Sequence, residues 1–256
     1  MLISIQQLSV FFLIVARIAG VFIEMPFFSS RSFPVFIKTA VVIWISLLLW
    51  FVVPINNILP NSFVEFIFAL LLEASIGFLI GFVCNIFFHA IQGAGEIMDM
   101  QMGLSVASAL DPAFGMVVSI IGKLAFMFAM IIFLSINGHH MLLSALHQSF
   151  VAIPVGHIPN FASPKLVQQV ISLGTSFWSI AIILAAPIVL LIFLSDFSFG
   201  IVSRVAPQVN VFMLGFQVKP MLGLFGFLLC MPFIVTYLNK ILEFMLTQML
   251  LLAKFL

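Results

Sequence analysis

Phe66-Ile-Phe-Ala-Leu-Leu-Leu-Glu73-Ala-Ser-Ile-Gly77-Phe-Leu-Ile-Gly81-Phe-Val-Cys84-Asn85-Ile-Phe-Phe88 carries one charge, Glu73, in 23 residues. A hydrocarbon slab about 30 Å thick asks for around 20 such residues in a helix. Further runs cover Leu8 to Ile23, Ile37 to Val53, Val117 to Ile136, Leu166 to Phe193 and Met221 to Tyr237, so the sequence predicts six helical candidates. Of the 256 residues 64% are hydrophobic and 7% charged, against roughly 25% charged in a soluble domain. Water is not the main solvent for such a surface. The fold class that follows is all-α, a polytopic membrane-associated protein with about six long hydrophobic helices.

The fifth run holds 28 residues, about 42 Å as a straight helix. Pro187 is its expected bend, because the ring removes a backbone donor and crowds the carbonyl of residue 183. Pro54 to Pro60 and Pro154 to Pro159 read as turns, while Gly93 to Gly115 and Ser195 to Pro220 alternate small and apolar residues and read as structured connections. Nine Lys and Arg against eight Asp and Glu leave a net charge of +1, which offers no basic face to nucleic acid. Arg31, Lys38, Arg204 and Lys219 fall on one side of an alternating six-span scheme and Lys165, Lys240 and Lys254 on the other, so charge does not set the orientation. No Lys or Arg precedes the first run, and a cleavable leader is not expected. Cys84 and Cys230 lie in apolar runs and read as small buried hydrophobes, with neither a disulfide nor a metal site expected.

Arg17, Glu73, Asn85 and Lys123 lie deep in apolar runs, where a charge costs about 2.5 to 3.5 kcal/mol on insertion scales. Each therefore needs a partner, an anchoring role or a place on an ion path. Arg17 and Glu24 share a helix face but stand seven apart, whereas a helical ion pair needs three or four. His139, His140 and His147 share a stretch without a carboxylate or thiol to complete a zinc shell. Gly103-Leu-Ser105 has no histidine pinned to it that would make the serine a nucleophile. No cofactor and no catalytic residue are expected. A secondary transporter, with Gly93 to Gly115 as its broken helix, is the stronger rival reading.

Five blocks spread over most of the chain carry a resemblance. Arg17-Ile-Ala-Gly20 is followed by Pro26-Phe-Phe-Ser-Ser-Arg31-Ser-Phe-Pro34 and Lys38. Gly93-Ala-Gly-Glu96-Ile-Met-Asp99-Met-Gln101-Met-Gly103-Leu-Ser105 closes on Asp111-Pro112, and Asn137-Gly138-His139-His140 leads to Pro154-Val-Gly156. Arg204-Val-Ala-Pro207-Gln208-Val-Asn210-Val-Phe212-Met-Leu-Gly215-Phe216 is the fourth block. Ala185-Ala-Pro187, continued by Gln208-Val-Asn210 and Lys219-Pro220, is the fifth. Together they resemble the FliR family of flagellar biosynthetic proteins, the R/T family of type III secretion export gates, whose injectisome members are the T components. Gly215-Phe216 and Asn137-Gly-His-His140 look flagellar, while Lys219 also suits the injectisome pattern.

The resemblance implies a P-like part over residues 1–165 and a Q-like two-helix hairpin with a tail over 166–256. It implies a non-enzymatic subunit of a gate in the bacterial inner membrane at the base of the flagellum, built from five P-type, four Q-type and one R-type subunit. Unfolded export substrates would pass through the central channel, with membrane lipid and a B-type switch subunit as further partners and no nucleic acid. On this likeness Leu110, Asp111, Pro112, Phe114, Gly115 and Met116 form a channel plug. Met98, Met100 and Met102 line or seal the channel, since methionine is flexible enough to close around varied cargo; packing of these methionines in the core is the alternative. Arg17, Arg204, Pro207, Gln208 and Asn210 are expected at subunit contacts. Arg204 to Phe216 is expected to join the two Q-like helices, with Pro207 ending one and Pro220 near the start of the next.

Overall fold

The computed structural model describes residues 5–26, 34–53, 62–105 and 119–256. Among them are eight helices and no strand: α1 (Ile5–Glu24), α2 (Val35–Trp50), α3 (Phe63–Met102), α4 (Ile120–Ser135), α5 (Gly138–Ala152), α6 (Pro164–Val205), α7 (Val211–Leu229) and α8 (Met231–Phe255). Five of these helices are long and apolar enough to cross a membrane.

Local chemistry explains where several helices begin. Ser62 and Glu65 form a capping box at α3, the Glu65 N–H donating to Ser62 Oγ at 3.2 Å and the Ser62 N–H to Glu65 Oε2 at 3.4 Å. Ser119 Oγ accepts the Gly122 N–H at the start of α4, and Asn210 Oδ1 accepts the Met213 N–H at the start of α7. Asn137 adopts the left-handed conformation, φ 57°, between α4 and α5. Asparagine tolerates that region better than most residues.

Three expected boundaries move. The Leu166 to Phe193 run is the middle of a 42-residue helix, about 63 Å long, which continues through Pro187. The Met221 to Tyr237 run divides between α7 and α8 at Cys230. Pro232 explains that division: lacking an N–H, it suits the first turn of a new helix better than the interior of an old one. Pro220, expected near a helix start, lies inside α7, whose cap is Asn210. None of the six expected runs covers α5, a polar-flecked helix with His139, His140 and His147.

The chain forms two compact units interleaved along the sequence: residues 1–87, 137–174 and 242–256 in one, 88–136 and 175–241 in the other. This partition differs from the division at 165/166, which follows likeness to two kinds of subunit. In the first unit α1 and α3 meet backbone to backbone. A Cβ on Gly77 would lie 1.9 Å from the Arg17 carbonyl oxygen, one on Gly20 2.2 Å from that of Ala74, and one on Gly81 2.6 Å from that of Val21. Arg17 against Gly77, Val21 against Gly81 and Glu24 against Asn85 advance together along both helices, so the two run parallel, joined through a Gly77-x-x-x-Gly81 seam of the kind that lets membrane helices approach closely. Leu13, Ile14, Ile18 and Phe22 of α1 then pack with Val42 of α2 and Phe150 of α5 as a common core.

In the second unit glycine again sets the spacing. A Cβ on Gly95 of α3 would sit 2.4 Å from the Gly122 Cα of α4, and Met102 and Leu191 fill the space over Gly223 and Gly226 of α7. Phe88 is edge-on to Phe126 and Phe133, each with centroids 5.8 Å away. Gly77→Ala is expected to destabilise the protein by at least ~1–3 kcal/mol, because only backbone could move aside. Gly174→Ala, whose Cβ would meet nothing within 4 Å, should be neutral or stabilise by up to about 1 kcal/mol through helix propensity. Thermal denaturation of the two variants in one detergent checks the contrast.

Candidate functional site

Arg17, one of four polar residues flagged within apolar runs, has no exposed surface, and Glu73 is 1% exposed. Nε donates to Glu73 Oε2 at 2.6 Å, and Nη1 donates to the carbonyls of Ser149 at 3.1 Å and Ile153 at 2.9 Å. The second Glu73 oxygen accepts the Gly156 N–H at 3.0 Å, and the Phe150 ring lies 4.2 Å from Arg17 Cζ, a cation–π distance. Arg17 thus ties α1 to α3 and neutralises the last carbonyls of α5, while Glu73 holds the turn that follows. Arg17 is expected at a contact with another subunit; the carboxylate and carbonyl partners seen here come from its own chain. Glu24 and Asn85 pair at 2.5 Å farther along the same two helices. Lys123, the fourth flagged residue, is exposed on the first turn of α4.

The Gly93 to Ser105 block has a second anchored acid. Asp99 is 3% exposed; its carboxylate accepts the Ser119 hydroxyl at 2.6 Å and the Ile121 N–H at 3.2 Å. An anion there is matched to the N-terminal end of the α4 dipole. The acid of the Glu96-Ile-Met-Asp99 sequence therefore fastens α3 to α4, a role that spacing alone did not show.

Met98 and Met102 stand four apart and are 2% and 0% exposed, whereas Met100, on the opposite face, is 65% exposed. Of the three expected lining residues, only Met100 presents its side chain outward. The connection between α6 and α7 is shorter than expected, since Val211 to Phe216 already belong to α7. Arg204 lies in the last turn of α6, where a cation complements the helix dipole. Pro207, Gln208 and Asn210 follow, all exposed. The expected plug residues, Leu110, Asp111, Pro112, Phe114, Gly115 and Met116, lie outside the described residues.

Long apolar helices, interior charges matched inside the fold, and an exposed polar turn between two helices define a polytopic helical membrane component. The model of the bacterial export proteins, family 1, matches residues 8–245, and the chain belongs to that family. It is 29% identical over 234 residues to the flagellar biosynthetic protein FliR of Bacillus subtilis (strain 168), covering 90% of this chain and 89% of that one. To the flagellar biosynthetic protein FliR of Escherichia coli (strain K12) it is 30% identical over 236 residues, covering 91% and 88%. The Yop proteins translocation protein T of Yersinia pestis is 37% identical over 147 residues, 57% of this chain and 56% of the relative.

Removing one partner of a buried ion pair strands the other charge. Arg17→Ala is accordingly expected to lose about 3–5 kcal/mol, and the double substitution Arg17→Leu with Glu73→Leu much less than the sum of the two single losses. A double-mutant cycle from denaturation midpoints of the four proteins measures the coupling, and additive losses would refute it.

Proposed function

We infer that this chain is a non-enzymatic subunit of a type III protein export gate serving flagellar biosynthesis, working in the inner membrane against P-type and Q-type subunits. The supporting observation, beside family membership, is the length of its exposed apolar surface. On α6, exposed apolar side chains occur from Val167, 52% exposed, through Trp178 and Phe193 to Val205, 80% exposed, on more than one face of the helix. Val167 to Phe193 already spans about 39 Å at 1.5 Å per residue, which at a tilt of about 40° fills the ~30 Å of hydrocarbon, so exposed Phe197, Ile201 and Val205 lie beyond it. Lipid does not cover these three, and apolar protein neighbours do. The flagellar relatives match nearly the whole chain, the injectisome-type relative just over half of it, which favours the flagellar system.

In this reading one copy joins five P-type and four Q-type subunits and meets a B-type switch subunit. Met100 faces the channel, Gln208 and Asn210 face a neighbour, and residues 110–116 close the resting pore to ions. An apolar constriction excludes ions by dewetting, so replacing Leu110, Phe114 and Met116 with glycine should leave the gate assembled but conductive. An assembled variant as tight to ions as the parent, in planar-bilayer conductance, would show that the closure lies elsewhere.

Affinity purification of the tagged full chain from a bacterium expressing the P-type and Q-type subunits is expected to yield a stable hetero-oligomer, and expression in a strain lacking its own flagellar family member should restore swimming. A homogeneous monomer that moves a small solute in vesicles would instead establish the secondary transporter.

A further inference from the structure

From His89 onward α3 turns a polar face outward. His89, Gln92, Glu96 and Met100 follow one another at spacings of three, four and four residues, which puts them within about 80° of one another around the helix. His89, Glu96 and Met100 are exposed and Gln92 is half-buried, while Ala90, Ile91, Ala94, Met98 and Met102 form the buried face opposite. The Gln92 amide donates to Glu96 Oε1 at 3.0 Å across one turn.

Contacts inside the second unit fix the depth of this face. A Cβ on Gly93 would lie 3.7 Å from Phe177 Cζ of α6, Gly95 abuts Gly122 of α4, and Met102 covers Gly223 of α7. Phe177, Gly122 and Gly223 all belong to apolar runs, 166–193, 117–136 and 221–237. The polar face therefore stands at the depth of the hydrocarbon. At that depth the neighbouring helices turn apolar side chains outward, Met127 and Ile131 on α4, Ile182 and Leu190 on α6, Leu224 and Leu228 on α7. Lys123, the one charged residue of α4, follows Gly122 and so borders the seam between α4 and α3.

Ionisable side chains within membrane helices are costly against lipid and face either a bundle interior or a water-filled space. The outward face of α3 is not the interior of this chain. Its chemistry suits a changing partner: imidazole and amide both donate and accept hydrogen bonds, the carboxylate accepts several, and Met100 is flexible. An unfolded polypeptide in transit presents an unpaired N–H and C=O on nearly every residue. Such side chains, with water between them, satisfy those groups whatever the sequence.

We propose that His89, Gln92, Glu96 and Met100 form one wall of a water-filled passage and touch the extended backbone of the exported polypeptide. The proposal rests on the export-gate reading and carries the wall from Met100 three turns back along α3.

The test uses the full chain in its hetero-oligomer, in cells exporting a substrate fused to a domain that cannot unfold and so halts in the passage. A photoreactive benzoyl-phenylalanine replacing Gln92 should capture the halted substrate several-fold more than one replacing Ile182 on the outward face of α6. Capture of only lipid or a neighbouring subunit at position 92, in cells that still export the unfused substrate, overturns the proposal. A second measurement needs neither the bulky probe nor export. Gln92→Cys and Ile182→Cys, each in a Cys84→Ala, Cys230→Ala background, are compared in native membranes. A membrane-impermeant maleimide should react several-fold faster at position 92, and equal rates show that no water reaches this face. Fast reaction at position 92 in cells that export nothing refutes the gate reading, and with it the polypeptide, while leaving the face aqueous.

Discussion

A guanidinium cannot sit in an apolar interior unless its charge is answered on the spot, and in the first unit that requirement brings four segments to one point. Arg17 reaches from α1 to Glu73 of α3 and to the Ser149 and Ile153 carbonyls at the end of α5, while Glu73 takes the Gly156 N–H of the following turn. Apolar contacts around it are tolerant of small slides; a hydrogen-bonded ion pair is not. The pair is weak evidence for net stability, because both ions are desolvated, but misregister of α1 against α3 would strand two charges. Register is therefore what the pair contributes.

The glycine seam makes that pair reachable. Arg17 and Glu73 stand one turn before the parallel contact of Gly20, Gly77 and Gly81, and separating the helix axes by a methyl layer would draw the guanidinium away from Glu73. Close backbone approach and charge matching thus support each other. In the second unit the same combination recurs, with Gly95 against Gly122 and the Asp99 carboxylate on the α4 N-terminus. Small residues set the distance, and a buried acid fixes the angular position.

Apolar length made the fold class legible, since 64% hydrophobic residues in long runs leave few alternatives to membrane helices. The list of uncomfortable polar residues was legible too, and three of its four members turn out to be paired. Which residue answers which was not: Arg17 and Glu73 are 56 positions apart, and nothing in either neighbourhood encodes their meeting. Other signals were present and unread. Gly77-x-x-x-Gly81 is a helix-contact pattern, and Ser62-x-x-Glu65 marks the start of α3. Alternate spacing of Met98, Met100 and Met102 also puts the middle one across the helix from the others, since two residues turn about 200°. Boundaries of α6 and α7 were missed because hydropathy falls at Ser195 while the backbone stays helical to Val205.

The Asp99 carboxylate has a topological effect. It bonds to Ser119, 20 residues later, so the chain leaves α3 and comes back to the same side chain before α4 begins. Together with the close approach of Gly95 to Gly122 it clamps the first turn of α4 to α3 at two points, and two points fix an angle as well as a distance: α4 can neither slide along α3 nor pivot about a single contact without breaking one of them.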